Sequence, residues 1–82
     1  MTIATQPSSA PRQLTALIQR EGDGYVAFCP ELDIASQGDN VEGARSNLVE
    51  AIELFLETAD PSELQRRMHT EVYVTRVEIP IG

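Results

Sequence analysis

The sequence predicts an α+β fold in which an antiparallel β-sheet packs against one long helix. Three observations predict it: a hairpin pattern near the start, a helical repeat of apolar residues over 41–59, and an alternating apolar segment over 71–79. The predicted order is strand, strand, strand, long helix, short helix, strand. A run of strands followed by helices is typical of a two-layer α+β domain.

The chain of 82 residues has room for one small domain. Residues 1–12 are rich in proline and serine and show no periodicity, so they are predicted to be a disordered N-terminal lead. The single domain is predicted to span residues 13–82.

The first three strands are predicted from short apolar segments bounded by turn residues. Residues 14–20 and 25–29 form the two arms of a hairpin, and Gly22 and Gly24 between them permit the positive φ angles of a tight turn. Residues 34–37 follow as a short third strand.

The long helix is predicted to begin after Asn40, a favourable N-cap, and to span residues 41–59. Its apolar positions recur at helical spacing: Val41, Ala44, Leu48, Ala51, Ile52, Phe55 and Ala59. Val49 and Leu56 widen this stripe beyond one face, which indicates a second contact. A short helix is then predicted to be capped by Asp60, with Pro61 at its first position and Glu63 completing a capping box.

The last predicted strand, residues 71–79, is apolar on both faces, which indicates either cover on both sides or a subunit interface. An exposed patch of this kind on a monomer would favour aggregation. We therefore expect a homodimer or larger assembly. The predicted interface comprises Val49, Leu56, Val72, Tyr73, Val74, Val77 and Ile79.

The charge balance argues against nucleic-acid binding by the chain alone. The formal net charge is −7, and all six basic residues are arginines. Segment 21–60 carries ten acidic residues against one arginine, Arg45. These acids either form a solvated surface or attract a basic protein partner. Glu50, Glu53 and Glu57, expected on the polar side of the helix, are the predicted docking acids.

No catalytic, cofactor or metal site is predicted. Cys29 and His69 are the single residues of their types, and Glu31 and Asp33 have no neighbouring histidine or phosphate-binding loop. A hydrolase remains a third hypothesis, and a deep pocket enclosing Asp33, Asp39 or His69 would favour it.

The sequence has neither an apolar run long enough for a membrane span nor a secretory signal, so the expected location is the cytoplasm.

One continuous region resembles a known family. Its features are Gly22-Asp23-Gly24-Tyr25-Val26-Ala27, then Pro30-Glu31-Leu32, then Ser36-Gln37-Gly38-Asp39, and the Ala-x-x-Asn-Leu-x-Glu-Ala-x-Glu-Leu pattern from Ala44 to Leu54. In this region, residues 14–57, the sequence resembles the HicB antitoxins and their shorter HicB-like relatives. Many members add a C-terminal DNA-binding domain, whereas this sequence ends at Gly82, so the resemblance is to the short form.

The resemblance implies a partial ribonuclease-H-like fold without nuclease chemistry. It also implies self-association and pairing with a small basic toxin of the HicA type, an mRNA-cleaving ribonuclease that the antitoxin blocks. The alternative expectation is a structural or regulatory homo-oligomer that has no toxin partner.

Overall fold

The computed structural model describes residues 13–82 and shows an α+β architecture. Three antiparallel strands, β1 (Leu17–Glu21), β2 (Gly24–Cys29) and β3 (Ile34–Gly38), form one sheet in the order β1-β2-β3. A long helix, α1 (Val41–Thr58), and a short one, α2 (Pro61–Met68), follow. The predicted fold class is confirmed. The predicted disordered lead lies outside the described residues.

The hairpin forms where the glycine-rich turn predicted it. Gly22 has a φ of 58°, a left-handed conformation that costs glycine little, and Glu21 pairs with Gly24 at the end of the ladder. β2 then lies between β1 and β3, with Ala27 opposite both Ile18 and Ser36. β1 and β3 are therefore the two edge strands of this sheet.

The start of α1 is positioned by two local features. The Asn40 side chain accepts a hydrogen bond of 2.7 Å from the backbone N–H of Gly43, as the predicted N-cap requires. Gly38, at the end of β3, allows the sheet to approach the first turn of α1 very closely. A Cβ at this position would lie 2.6 Å from the carbonyl carbon of Gly43.

The core lies between the sheet and the N-terminal half of α1. Its fully enclosed side chains are Ala27, Cys29, Leu32, Ala44 and Leu48. Ala27 and Cys29 are two residues apart in β2, so their side chains point to the same face, toward α1. The predicted apolar stripe of α1 is thus buried at its centre, while Val41 and both stripe-widening residues stay exposed.

The start of α2 differs in part from the prediction. Pro61 occupies the first helical turn as predicted, but the Asp60 side chain makes no cap hydrogen bond and instead accepts one from Ser62. Glu63 does not complete a capping box either, because its carboxylate forms an ion pair of 2.7 Å with Arg67 one turn later. The Glu63 side chain thus stabilises α2 by pairing with a residue one turn later and does not cap the start of the helix.

The predicted last strand is wrong as an element of the isolated chain. Residues 71–79 pair with no strand of the described chain, and Tyr73 and Val77 are 80% and 77% exposed. A strand needs an edge to pair with, and an alternating pattern shows only that the side chains suit a pleated sheet. We call residues 70–82, which follow α2 and its short cap, the C-terminal arm.

Candidate protein-binding surface

Helix α1 separates two grooves of different character. The first lies on the β3 side, and we call it the acidic groove. It is lined by Ser36, Asn47, Glu50, Ala51, Glu53, Leu54 and Glu57. All three predicted docking acids therefore line one depression, and all three are exposed. The spacing of 50, 53 and 57 puts them on one side of a helix, as the sequence predicted.

The wall of the acidic groove is fixed by a contact between helix and sheet. The Asn47 side-chain amide donates a hydrogen bond of 2.7 Å to the backbone carbonyl of Gln37 in β3. Leu54, which sequence reasoning did not single out, is 62% exposed among the acids. An apolar side chain ringed by carboxylates can contact a basic protein whose own surface mixes cationic and apolar groups.

The second groove lies on the β1 side of α1, and we call it the edge groove. It is lined by Leu14, Thr15, Ala16, Arg45, Leu48, Val49, Ile52 and Glu53, and it has a volume of about 210 Å³. Val49 is one of the predicted interface residues. Leu56 follows seven residues later, two helical turns on, and lies along the same side of α1. This apolar side of the helix thus faces residues 14–16, the segment that leads into β1.

The predicted interface residues fall on two separate parts of the molecule. Val49 and Leu56 lie on α1, whereas the remaining five lie in the C-terminal arm. Val72 is half-buried where the arm leaves the body, and the others are exposed. Within the described chain, none of the exposed arm residues packs against the core.

The Glu31 carboxylate has a structural role that the sequence did not reveal. It accepts hydrogen bonds from the Thr15 backbone N–H at 3.0 Å, the Thr15 hydroxyl at 2.6 Å and the Cys29 thiol at 3.4 Å. Partial burial raises the pKa of Glu31, but these donors favour the charged form more strongly and hold the pKa below its usual value. The carboxylate ties the segment before β1 to the connection after β2.

The environment of Cys29 is that of an inert thiol. Burial raises the pKa of Cys29, and the neighbouring Glu31 carboxylate adds to the increase, while a backbone hydrogen bond at Leu32 opposes it. The thiol is fully enclosed and donates to Glu31. A protonated, enclosed thiol is a poor nucleophile.

The residues that would favour a hydrolase lie in different parts of the fold. Asp33 sits in the β2–β3 connection with a φ of 59°, Asp39 lines an open depression near the hairpin turn, and His69 ends α2. Within residues 13–82, no three histidine, cysteine or acidic side chains converge as a metal site would require. In the same range, neither helix is long and apolar enough to cross a membrane.

Comparison with known proteins identifies the family. A UPF0150 protein of Helicobacter pylori (strain J99) is 36% identical over 67 residues, which cover 80% of this chain and 93% of that protein. The chain belongs to the UPF0150 family. Two UPF0150 proteins of Synechocystis are also similar. One is 49% identical over 53 residues, which cover 58% of this chain and 67% of that protein. The other is 36% identical over 70 residues, which cover 83% of this chain and 96% of that protein.

The UPF0150 name itself assigns no activity. No family model and no solved structure matches the chain. The features of this UPF0150 protein that bear on its function are its two grooves and its arm.

Proposed function

We propose that this UPF0150 protein is a non-catalytic, HicB-like antitoxin that acts in the cytoplasm as a homo-oligomer. Its proposed target is a small basic toxin of the HicA type, which cleaves mRNA. The antitoxin would neutralise the toxin by covering its RNA-binding surface. The observation that carries this proposal is the acidic groove, in which Glu50, Glu53 and Glu57 surround an exposed Leu54.

The groove has the charge that this target requires. A ribonuclease must attract a polyanion, so its active surface is basic, and a protein that competes for that surface should present carboxylates. The formal net charge of −7 extends the same field over the rest of the chain. Fields of this kind raise association rates by about 10- to 1000-fold.

The position of the groove also suits a protein partner. β3 has no second strand partner within residues 13–82, so a strand of another protein could pair with the outer backbone groups that the Asn47–Gln37 hydrogen bond leaves open. A partner strand laid along β3 would pass beside the acids of α1. Backbone pairing would then supply affinity, and the carboxylates would supply steering and selectivity.

The test is association with a HicA-type toxin encoded next to this chain. The toxin is mixed with the wild-type chain and with the double variant Glu50→Lys/Glu57→Lys in stopped flow, at ~0.05 M and ~0.3 M salt. Because screening shortens the reach of charges, the wild-type rate should fall as salt rises. The double reversal should slow association about tenfold or more at low salt.

The matched control is Glu21→Lys/Asp23→Lys, which changes the net charge equally at the exposed hairpin turn. It should alter the rate by no more than about threefold, since it leaves the groove intact. Failure of the wild-type chain to bind the toxin or to stop mRNA cleavage would refute the antitoxin proposal. Equal effects of the two double variants would refute the groove as the docking site.

The alternative function is a structural or regulatory homo-oligomer with no toxin partner. The exposed apolar residues of the C-terminal arm support self-association independently of the acidic groove. A native preparation that contains this chain alone, with no toxin-sized basic protein encoded beside it, would favour the alternative.

A further inference from the structure

We propose that the C-terminal arm is an exchanged strand: residues 71–79 of one copy pair with the free edge of β1 in a second copy and cover its edge groove. This inference deepens the homo-oligomer part of the proposed function and rests on it. It specifies which surface receives the arm and why the receiving surface belongs to another copy.

The arm has the apolar composition of a buried strand, but its side chains are exposed. Val77, Ile79 and Ile81 are 77%, 66% and 88% exposed, although they alternate with other residues as the inner face of a strand would. Within residues 13–82, the arm pairs with no strand of the sheet and adds no residue to the core cluster. The arm therefore extends beyond the body instead of covering it.

The outer edge of β1 lacks the strand partner that such an arm could supply. β1 pairs with β2 on one side, so the backbone groups of Leu17–Glu21 on the other side have no strand partner in the described chain. Leu17, the first residue of β1, is exposed, and Val49 and Ile52 line the edge groove together with residues 14–16, which lead into β1. A strand added here would satisfy the backbone groups and cover the groove at the same time.

The path of the chain indicates how an arm would meet this edge. The arm leaves α2 close to the segment before β1, because Leu14, Met68 and Val72 line a common depression. α1 begins where β3 ends, and it returns the chain toward the start of β1, so a strand following α2 would run parallel to β1. In strand exchange, the arm of the second copy occupies this position parallel to β1.

A second copy fits the edge better than a different protein does. The arm and the edge are both present in every copy, so two chains can satisfy both needs reciprocally and close the assembly. Their apolar surfaces also match: the arm presents Tyr73, Val77 and Ile79 on one face, and the edge groove offers Val49 and Ile52. The arm carries two acids and one arginine, so it lacks the strong charge expected of a segment that targets an ionic partner.

The first test measures mass by light scattering at ~100 µM. The wild-type chain should have a mass of about 18 kDa or a multiple of it, twice the 9.0 kDa of one chain. The arm variant Val77→Asp/Ile79→Asp should shift the mass to that of one chain. The groove variant Val49→Gln/Leu56→Gln changes one lining residue and the exposed leucine two turns further along the same side of α1, and it should raise the dissociation constant at least tenfold.

The matched control for the groove variant is Val41→Gln/Leu54→Gln. It makes the same change at two exposed apolar residues of the same helix, but away from the edge groove. The control should keep the wild-type mass. Far-UV circular dichroism of every variant verifies that the helices are retained, and Val77→Ser/Ile79→Ser replaces the arm variant if the aspartates unfold the chain.

The second test follows amide hydrogen exchange in β1. Pairing with an arm should protect the outward amides of Leu17–Glu21, and the arm variant should raise their exchange rates at least tenfold. A wild-type mass of one chain would overturn both this inference and the homo-oligomer proposal. An oligomer whose mass and β1 protection survive the arm variant would overturn the strand exchange alone. Toxin binding through the acidic groove is measured separately and is affected by neither result.

Discussion

At the residue scale, Gly38 controls how closely the sheet and α1 can approach. A Cβ on this residue would lie 2.6 Å from the Gly43 carbonyl carbon and 2.9 Å from the Ala44 Cα, both of them backbone atoms of the helix. We predict that Gly38→Ala destabilises the fold by about 2–3 kcal/mol, because the first turn of α1 would have to move outward. Urea denaturation monitored by circular dichroism measures this loss.

Gly22→Ala provides the control for Gly38→Ala. Gly22 has a positive φ, but a Cβ there would meet no atom within 4 Å, so its cost is conformational only and should be about 1 kcal/mol. Equal losses for the two variants would contradict the close-approach argument.

Glu31 should make the stability of the fold depend on acid pH. Its pKa is lower in the folded chain, so its contribution is present above the unfolded-state value of about 4.3 and is lost as the pH falls through the folded value. We predict that Glu31→Gln is less stable than wild type by about 1 kcal/mol at pH 7 and that this difference shrinks near pH 2–3. Urea titrations at both pH values test this.

Glu57→Gln is the control for Glu31→Gln, since Glu57 is an exposed carboxylate on α1. It should change stability by less than about 0.5 kcal/mol at either pH. A Glu31→Gln loss of the same size at pH 7 and pH 2–3 would show that the charged hydrogen bonds of Thr15 and Cys29 are not its cause.

At the element scale, the Arg67 side chain joins α2 to the rest of the fold, beside Met68, which packs against the core. The Arg67 guanidinium donates to the Leu32 carbonyl, forms an ion pair with Glu63 and lies 5.2 Å above the centre of the Phe55 ring. We predict that Arg67→Ala destabilises the chain by about 2 kcal/mol, from the lost hydrogen bond and cation–π contact. The rate of amide hydrogen exchange in α2 should also increase in this variant.

The neighbouring Arg66 supplies the control for Arg67, because it is an exposed residue of the same helix. Arg66→Ala should cost less than about 0.5 kcal/mol. Arg67→Lys should recover only part of the loss, since an ammonium cannot reproduce the planar contact with the ring. If Arg66→Ala and Arg67→Ala behaved alike, α2 would not be held by this contact.

The success of the sequence predictions differs between elements for physical reasons. The hairpin and α1 depend on local signals, namely the turn glycines, the Asn40 cap and the apolar repeat, and the structure confirms all three. The last predicted strand depends on a partner edge, which no local pattern can supply. The alternating pattern of residues 71–79 correctly indicated an apolar segment. It could not show that no strand of the described chain pairs with this segment.

The candidate surface shows the same division. Helical spacing was sufficient to place Glu50, Glu53 and Glu57 together, because positions three and four apart share a helix side. The Glu31 hydrogen bonds were missed, since they join Thr15 to a residue sixteen positions later. Leu54 could have been found from its place between two of the predicted docking acids, but an isolated exposed leucine is too common to stand out.

At the scale of the whole molecule, the described chain has a small core for its length. The largest fully buried side chains are Leu32, Leu48 and Cys29, while many apolar residues of the arm are exposed. A domain of this size is only marginally stable on its own core. We infer that contacts between copies supply part of the stability, and the melting temperature should then depend on protein concentration.

We predict that raising the concentration from ~5 µM to ~500 µM raises the melting temperature by about 5–10 °C. A hundredfold change is worth about 2.7 kcal/mol per dimer, and two chains of this length gain roughly 2–4 °C per kcal/mol. Differential scanning calorimetry across this range measures the shift. Val77→Asp/Ile79→Asp should melt at a lower temperature that is independent of concentration, because its unfolding no longer includes dissociation. A concentration-independent melting temperature for the wild-type chain would mean that its small core is sufficient and that the arm makes no contact between copies.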